Sequence, residues 1–123
     1  MARILIVDDE YLTVEMLSTF LGLIGHEGVG AHSVRQARDR LAYVEPDAIL
    51  LDIMLPDTNG LELCRELRND PKNTELPIIM ISAHAPPMIA EATAAGATGY
   101  LAKPINLEKL KNALIKAGVA AST

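Results

Sequence analysis

The stretch AILLDIMLPDTNG, from Ala48 to Gly60, decides the fold because four apolar residues lead directly into a carboxylate. A short, continuously apolar run is typical of a parallel strand that is buried on both faces. Comparable runs recur along the chain and alternate with longer amphipathic segments. This order predicts an α/β fold with a doubly wound, five-stranded parallel sheet in a (βα)5 arrangement. The predicted strands are Arg3 to Val7, Glu27 to Ala31, Ala48 to Leu51, Ile78 to Ser82 and Gly99 to Ala102.

The composition limits the class of protein. The chain has 123 residues, 50% hydrophobic and 3% aromatic, so we expect one domain over residues 1–123, with an aliphatic core and no output domain. The net charge of -5 argues against direct nucleic-acid binding, which usually needs a basic face. Cys64 is the only cysteine, so a reducing, cytoplasmic location is expected. No apolar run approaches the ~20 residues of a membrane span, so we expect no membrane contact.

Apolar positions at helical spacing predict the first two connecting helices. The first stripe begins at Leu12, and Gly25 ends that helix. Ser33 and Gln36 form a capping-box pattern at the start of the second helix, whose apolar stripe reaches Val44. One face of each helix is therefore expected to pack on the sheet.

Breaker residues predict the bounds of the later helices. Cys64 lies on the apolar stripe of a third helix and is expected to pack in the core. The pair Pro86-Pro87 predicts the start of a fourth helix, which runs to about Ala95. Asn106 is expected to cap the last helix, and the closing GVAAST to form a tail.

Chemically reactive residues cluster where the predicted strands end, which is where ligands bind in open α/β sheets. Asp8 and Asp9 follow the first strand, and Asp52 follows the third. Two carboxylates about 4 Å apart repel by roughly 4 kcal/mol at an effective dielectric near 20, and a divalent cation such as Mg²⁺ removes this repulsion. Ser82 closes the fourth strand, and Lys103 follows the fifth. The set suits phosphoryl transfer, in which a carboxylate can itself be the nucleophile.

Four segments in chain order carry a resemblance to a known family: ILIVDDE (Ile4 to Glu10), ILLDIMLPDTNGLEL (Ile49 to Leu63), IIMISAH (Ile78 to His84) and GATGYLAKPI (Gly96 to Ile105). Over essentially its whole length, the chain resembles the receiver domain of two-component response regulators. The resemblance implies a flavodoxin-like fold with strand order 2-1-3-4-5. It also implies a cis peptide bond between Lys103 and Pro104. The implied function is a phosphorylation-activated signalling switch.

The same resemblance implies roles for the residues at the strand ends. Asp52 is the expected phosphoacceptor, which takes a phosphoryl group from a histidine kinase or a histidine phosphotransfer protein. Asp9 is an expected direct ligand of Mg²⁺ or Mn²⁺, and Asp8 is a ligand directly or through water. Asp52 and the backbone carbonyl of Met54 complete the expected metal ligands.

A second group of residues is implied to respond to phosphorylation. Ser82 is the expected switch hydroxyl, Lys103 pairs with the phosphoryl group, and Tyr100 rotates inward when Ser82 moves. The surface of the fourth helix, fifth strand and fifth helix would then bind a downstream protein partner or a missing output domain. The stretch GATGY lacks the charged pair of many DNA-binding members, so we expect a monomer or a weak phosphorylation-dependent dimer.

The loop PDTNG departs from the usual pattern of the family. Asp57 is displaced from the usual acidic position and is interpreted as a turn residue, while Gly60 is expected to provide the bend. His84, which follows the fourth strand, is expected to line the site. His26 and His32 have no ligand-like spacing and are interpreted as surface residues.

Three other functions remain open at this point. An Asp-nucleophile, Mg²⁺-dependent phosphatase would need a cap domain and an acid two residues after Asp52, where Met54 stands. A flavodoxin-like FMN binder would need a hydroxyl- and glycine-rich loop in place of DDEYLT. A degenerate receiver would bind its partners without phosphorylation, although all the key groups are present. We therefore expect a phosphoacceptor that assists its own phosphorylation and dephosphorylation, not a turnover enzyme.

Overall fold

Five parallel strands form one sheet in the computed structural model, which describes residues 1–119. The strands are β1 (Arg3–Val7), β2 (Glu27–Ala31), β3 (Ala48–Asp52), β4 (Ile78–Ser82) and β5 (Gly99–Ala102). They lie in the order β2-β1-β3-β4-β5, and all neighbouring pairs are parallel. The predicted fold class and strand order are confirmed.

Helices connect the strands and cover both faces of the sheet. The helices are α1 (Tyr11–Leu23), α2 (Val34–Leu41), α3 (Gly60–Arg68), α4 (Ile89–Ala94) and α5 (Leu107–Lys116), with a 3-10 turn at Pro71–Asn73. Buried residues of α1 and α5 pack on one face, and those of α2, α3 and α4 on the other. Within residues 1–119, none of the helices combines the length and apolar character needed to cross a membrane.

Alternate residues of the central strands divide the core into two layers. Ile49 and Leu51 pack toward α2, α3 and α4, whereas Ala48 and Leu50 pack toward α1 and α5. All residues of β3 are buried, which explains why this run is continuously apolar. The strand also includes Asp52, one residue beyond the predicted end, so rigid packing on both faces holds this carboxylate.

The parallel register places the ends of the inner strands side by side. Val7 lies opposite Leu51, so the next residues, Asp8 and Asp52, leave the sheet at the same edge. The last residue of β4 likewise lies opposite the last residue of β5. Side chains that are far apart in the sequence therefore meet at the carboxyl ends of the strands.

The predicted stripe of α1 packs on the sheet at Met16, Leu17, Phe20, Leu21 and Ile24, and only its first residue, Leu12, does not. Val14, Leu17 and Leu21 are buried, while Leu12 is 80% exposed. The buried residues follow the i, i+3, i+7 spacing of one helix face, and Leu12 does not lie on that face. Gly25 follows the helix with φ of 85°, a conformation that favours glycine, and the predicted end is confirmed.

Helix α2 is shorter than predicted and has a modified cap. It ends at Leu41, so Val44 lies beyond it. Ser33 Oγ accepts the N–H of Gln36 at 3.0 Å, as the capping box requires. Gln36 Oε1 accepts instead from the N–H of His32 at 2.9 Å, so the reciprocal bond is shifted by one residue.

The proline pair does not begin α4, and this prediction was wrong. Pro86 and Pro87 lie in the preceding loop, and the helix begins at Ile89. The carbonyl of Pro86 is paired with Nδ1 of His84 at 2.9 Å, which leaves it outside the helical hydrogen-bond ladder. The bond between Ala85 and Pro86 is cis.

The first residues of the predicted tail pack against the fold. Gly118 has φ of 90° and redirects the chain after α5. Val119 is buried, and its N–H donates to the carbonyl of Leu114 at 2.8 Å. The rest of the predicted tail, 120–123, lies outside the described residues.

Candidate metal and phosphoryl-transfer site

An acidic crevice lies at the carboxyl ends of β1 and β3. One carboxylate oxygen each from Asp8, Asp9 and Asp52 lies within 4.8 Å of the others. Asp8 and Asp52 are buried, while Asp9 is exposed. Because β1 and β3 are neighbours in the sheet, the structure brings together the aspartates that the sequence singled out as metal ligands.

Lys103 is the cation that faces this crevice. Its Nζ lies 2.7 Å from Asp8 Oδ2, 3.1 Å from Glu10 Oε1 and 3.3 Å from Asp52 Oδ2. Burial alone would lower the pKa of the Lys103 ammonium, but the contact with Asp8 and the charges of both aspartates outweigh it and raise the pKa. Lys103 therefore stays protonated and offsets part of the negative charge.

The ionised form of Asp52 is unfavourable in this position. Burial, and then the charge of Asp8, raise the pKa of Asp52 to about 6. Lys103 and the N–H of Met54, which donates to Asp52 Oδ1 at 3.1 Å, act in the opposite direction. The carboxylate would therefore be stabilised by a further cation, which is typical of a functional site.

The side-chain donors fit a hard divalent cation such as Mg²⁺, because all of them are carboxylate oxygens. Asp8 Oδ1 accepts the N–H of Glu10 at 2.9 Å. Asp8 Oδ2 is buried and accepts no well-aligned hydrogen bond from the described part of the chain, although it is ion-paired with Lys103. A divalent cation would give that oxygen a second positive partner beside Lys103. The side chain of Met54 is exposed, and the residue forms a bridge with Asn59 across the β3–α3 loop.

Gly60 is needed because α3 begins in close contact with the backbone of Asp52. A Cβ at Gly60 would lie 2.0 Å from the backbone oxygen of Asp52. The glycines with positive φ in residues 1–119 are Gly25, Gly96 and Gly118, so Gly60 has an ordinary backbone conformation. The chain does turn back at Gly60, whose N–H donates to the carbonyl of Ile53 at 2.8 Å, and steric space is the reason for a glycine here.

The residues of the expected switch lie around the ends of β4 and β5. Ser82 is buried, and its Oγ accepts the N–H of His84 at 3.0 Å. The hydroxyl of Tyr100 accepts the N–H of Met88 at 3.0 Å, which ties β5 to the loop before α4. The peptide bond that follows Lys103 is cis, as predicted. The His84 ring is exposed and pairs with a loop carbonyl.

Two acidic residues have contacts that the sequence did not reveal. Glu10 contacts Lys103, so the lysine is shared with a third carboxylate. Asp57 accepts the backbone N–H of Val34 at 3.1 Å and that of Arg35 at 3.0 Å, at the N-terminus of α2. These bonds lower the pKa of Asp57, although burial alone would raise it. The carboxylate thus links two loops as well as lying in a turn.

Two histidines make structural contacts, and the interpretation of His26 as a surface residue was wrong, whereas His32 is half-buried. His26 is 4% exposed, and its Nδ1 accepts the N–H of Ala2 at 3.1 Å. Nδ1 of His32 lies 3.1 Å from the carbonyl oxygen of Asp8, and the ring stacks on Tyr11 with centroids 3.8 Å apart. Both rings contact backbone atoms of distant segments, and the spacing of residues in the sequence does not reveal such contacts. Cys64 is buried as predicted.

Comparison with known proteins agrees with this geometry. The response regulator MprA of Mycobacterium avium (strain 104) is 40% identical over 111 residues, which cover 88% of the chain and 47% of MprA. MprA of Mycobacterium tuberculosis (strain ATCC 25618 / H37Rv) is also 40% identical, with 46% of its length covered. The chain thus spans about half the length of the curated relatives that it matches.

Solved structures and a family profile extend the comparison. The chemotaxis response regulator CheY4 of Vibrio cholerae has a TM-score of 0.88 at 32% identity, covering 95% of the chain and 98% of CheY4. The signal receiver domain of a signal transduction histidine kinase from Syntrophus aciditrophicus has a TM-score of 0.87 at 26% identity, covering 100% and 96%. The profile described as response regulator receiver domain matches residues 4–115. The chain therefore belongs to the response regulator receiver domains of two-component systems, whose general function is phosphorylation-dependent switching.

Proposed function

We propose that Asp52 is the phosphoacceptor of this receiver domain and takes its phosphoryl group from a phosphohistidine on a histidine kinase or a histidine phosphotransfer protein. The observation that carries the proposal is the placement of Asp52, a buried carboxylate at a strand end with a pKa raised to about 6. It shares the crevice with two more aspartates and one lysine. Asp52 combines burial at the end of a strand, a raised pKa and a neighbouring cation.

The transfer is a substitution at phosphorus. An Asp52 carboxylate oxygen forms the new O–P bond as the P–N bond of the donor breaks. The electron pair of the broken bond stays on the imidazole nitrogen, which takes up a proton from solvent. Lys103, 3.3 Å from Asp52 Oδ2, is placed to pair with the incoming phosphoryl oxygens.

The proposed metal ligands are Asp8, Asp9, Asp52 and the backbone carbonyl of Met54. A bound Mg²⁺ or Mn²⁺ would supply positive charge against the phosphoryl oxygens, which otherwise meet a crevice lined by carboxylates. Asp8 and Asp9 would hold the cation beside Asp52, because one oxygen of each of the three carboxylates lies within 4.8 Å of the others. The raised pKa of Asp52 supports this proposal, since a nearby cation would favour the ionised nucleophile.

Phosphorylation would then redistribute the contacts of the switch residues. The added charge of about -1.5 to -2 draws Lys103 and the Ser82 hydroxyl toward Asp52. Tyr100, now bonded to the N–H of Met88, follows the movement of Ser82. The altered surface of α4, β5 and α5 binds a protein partner or an output domain, by a shift between two existing arrangements. We propose a cytoplasmic monomer or weak dimer that does not turn over an external substrate.

Phosphorylation by a small donor tests the proposal. The wild type is incubated with acetyl phosphate and Mg²⁺, and its intact mass is measured. We expect a gain of one phosphoryl group, which is absent in a chelator and absent in Asp52→Asn. Asp47→Asn, at the opposite end of the sheet, is the matched control and should gain the same mass as wild type. A gain that survives in Asp52→Asn contradicts the assignment, and no gain in wild type would favour a degenerate receiver.

A further inference from the structure

The connection between β2 and α2 contacts both loops that carry the proposed metal ligands. It comprises residues 31–35, which we call the β2–α2 bracket. On one side it is bonded to the β1–α1 loop, which carries Asp8 and Asp9. On the other side it is bonded to the β3–α3 loop, which carries Met54. The distance between these loops decides whether their oxygen atoms can share one cation.

The first side of the bracket holds the backbone of Asp8. The N–H of Asp8 donates to the carbonyl of Ala31 at 3.0 Å. The carbonyl of Asp8 faces Nδ1 of His32 at 3.1 Å, and since a carbonyl oxygen only accepts, Nδ1 carries the hydrogen. Stacking on Tyr11 fixes the plane of the His32 ring. Both hydrogen-bonding groups of the Asp8 backbone are therefore held by the bracket.

The second side of the bracket holds the carboxylate of Asp57. Its Oδ1 accepts the N–H of Val34, and its Oδ2 accepts the N–H of Arg35. These are free amides at the N-terminus of a helix, where the helix dipole also favours a negative charge. Asp57 lies in the same loop as Met54, so the two bonds restrict how far that loop can move away from α2.

We propose that the β2–α2 bracket sets the spacing of the two metal loops, and that Asp57 and His32 are positioning residues for a divalent cation that neither of them touches. This inference rests on the proposed function, because it assumes that the crevice binds Mg²⁺. It gives Asp57 a role that its place in a turn does not explain. The side chains of the site come from the ends of the other four strands. The proposal gives the segment after β2 a role in the same site, as a support of the metal loops.

The decisive experiment compares two aspartates that each accept backbone N–H groups. Asp57→Ala removes the bonds to α2, and Asp47→Ala removes the bond from Asp47 Oδ2 to the N–H of Arg3 at the far end of the sheet. Mg²⁺ affinity is measured by isothermal titration calorimetry. We expect Asp57→Ala to weaken binding about tenfold, the lower end of the loss seen when supporting partners of metal ligands are removed. Asp47→Ala should bind as wild type does.

Two further variants separate positioning from charge. Asp57→Asn removes the charge but keeps one acceptor oxygen, so it should weaken Mg²⁺ binding less than Asp57→Ala. His32→Phe keeps an aromatic ring on Tyr11 and removes the donor to Asp8, so it should also weaken binding. Equal losses in Asp57→Asn and Asp57→Ala would assign the effect to charge alone and overturn the proposal. Unchanged binding in Asp57→Ala and His32→Phe would overturn it as well.

The outcomes distinguish this inference from the function on which it rests. If wild type binds no Mg²⁺, the proposed metal site fails and the bracket fails with it. If wild type binds Mg²⁺ and Asp57→Ala binds it equally well, the bracket alone fails. Amide hydrogen exchange of Val34 and Arg35 adds a direct readout, because both amides should exchange faster in Asp57→Ala and at the wild-type rate in Asp47→Ala.

Discussion

Charged side chains are arranged differently at the two ends of the sheet. At the carboxyl ends of the strands, the acidic edge concentrates negative charge around a single lysine. At the amino ends, each carboxylate of the amino edge accepts a hydrogen bond from Arg3. The acidic edge consists of Asp8, Asp9, Glu10, Asp52 and Lys103, and the amino edge consists of Ala2, Arg3, His26, Glu27 and Asp47.

At the amino edge, the charged groups link neighbouring segments of the chain by hydrogen bonds and an ion pair. Arg3 Nε pairs with Glu27 at 3.0 Å, and the Arg3 N–H donates to Asp47 at 2.7 Å. His26 accepts the N–H of Ala2. None of these contacts forces like charges together. Within residues 1–119, Nε2 of His26 is the one buried side-chain atom of this edge without a hydrogen-bond partner.

At the acidic edge, repulsion among the carboxylates lowers the stability of the metal-free folded protein. Lys103 contacts three carboxylates at once, and Asp52 keeps a raised pKa despite this contact. Repulsion of this kind is retained where a site is prepared for a cation and for chemistry. The carboxyl ends of the strands therefore carry an electrostatic repulsion that the amino ends lack, and a bound cation would relieve it.

The largest expected loss of stability comes from filling the space between Gly60 and the backbone of Asp52, a residue of the acidic edge. In Gly60→Ala, the new methyl group would overlap the backbone oxygen of Asp52 at 2.0 Å, so strand and helix must separate. We expect unfolding free energy to fall by more than about 3 kcal/mol in urea denaturation. Gly99→Ala is the control, since its Cβ would meet nothing closer than 3.6 Å. Equal losses in the two variants would contradict the steric explanation.

Removing the lysine should expose the repulsion that it offsets. Lys103→Met leaves Asp8 and Asp52 without their cation, and we expect a loss of about 3 kcal/mol in a chelator, typical of a broken buried pair. Adding Mg²⁺ should restore part of the unfolding free energy that Lys103→Met loses. Arg3→Met, at the amino edge, should cost less than about 1 kcal/mol, because that pair is exposed. A loss in Lys103→Met that Mg²⁺ leaves unchanged would argue against a shared role of the two cations.

Neutralising the nucleophile should stabilise the protein. A pKa raised from 3.8 to about 6 means that wild type loses stability as pH rises through this range, by roughly 2 to 3 kcal/mol at neutral pH. Asp52→Asn in a chelator should therefore be more stable than wild type by about 2 kcal/mol at pH 7. The difference should vanish below pH 4. Asp47→Asn should instead be slightly destabilised, and a stabilised Asp47→Asn would remove the contrast between the edges.

The smallest effect is expected at His26, with the opposite dependence on pH. Burial, and then the charge of the N-terminus, lower the pKa of His26 below its usual 6.5. The folded state thus binds the proton less well than the unfolded state, so stability is present above pH 6.5 and is lost as pH falls through the folded pKa. His26→Asn should flatten this dependence in chemical denaturation. An unchanged slope would contradict the role of the buried ring.

The sequence predicts the fold and most of the candidate site because the required information is local. Continuous apolar runs identify parallel strands, and the residue after each run must lie at the carboxyl edge. That reasoning brings Asp8, Asp52 and Lys103 together before any contact is known. The resemblance to receiver domains added the strand order, which hydrophobic pattern alone does not give.

The remaining features depend on contacts between distant loops. The sequence around Asp57 predicts a turn residue. Only the structure shows that its carboxylate accepts hydrogen bonds from two backbone N–H groups of α2. His26 and His32 bond backbone atoms of other segments, which no spacing rule reports. The start of α4 was misplaced because the carbonyl of Pro86 pairs with a side chain. The sequence predicted Gly60 only as a bend residue. Its close contact with the backbone of Asp52 could not be inferred from the sequence.

We expect a divalent cation to relieve the repulsion among the carboxylates of the acidic edge. Unfolding free energies of wild type and Asp52→Asn, each measured in a chelator and in excess Mg²⁺, test it most directly. Mg²⁺ that binds the folded state raises its stability by mass action. We predict a clear gain for wild type and a much smaller gain for Asp52→Asn, which has lost both a ligand and the repulsion. Equal gains in the two proteins, or no gain in wild type, would contradict the account.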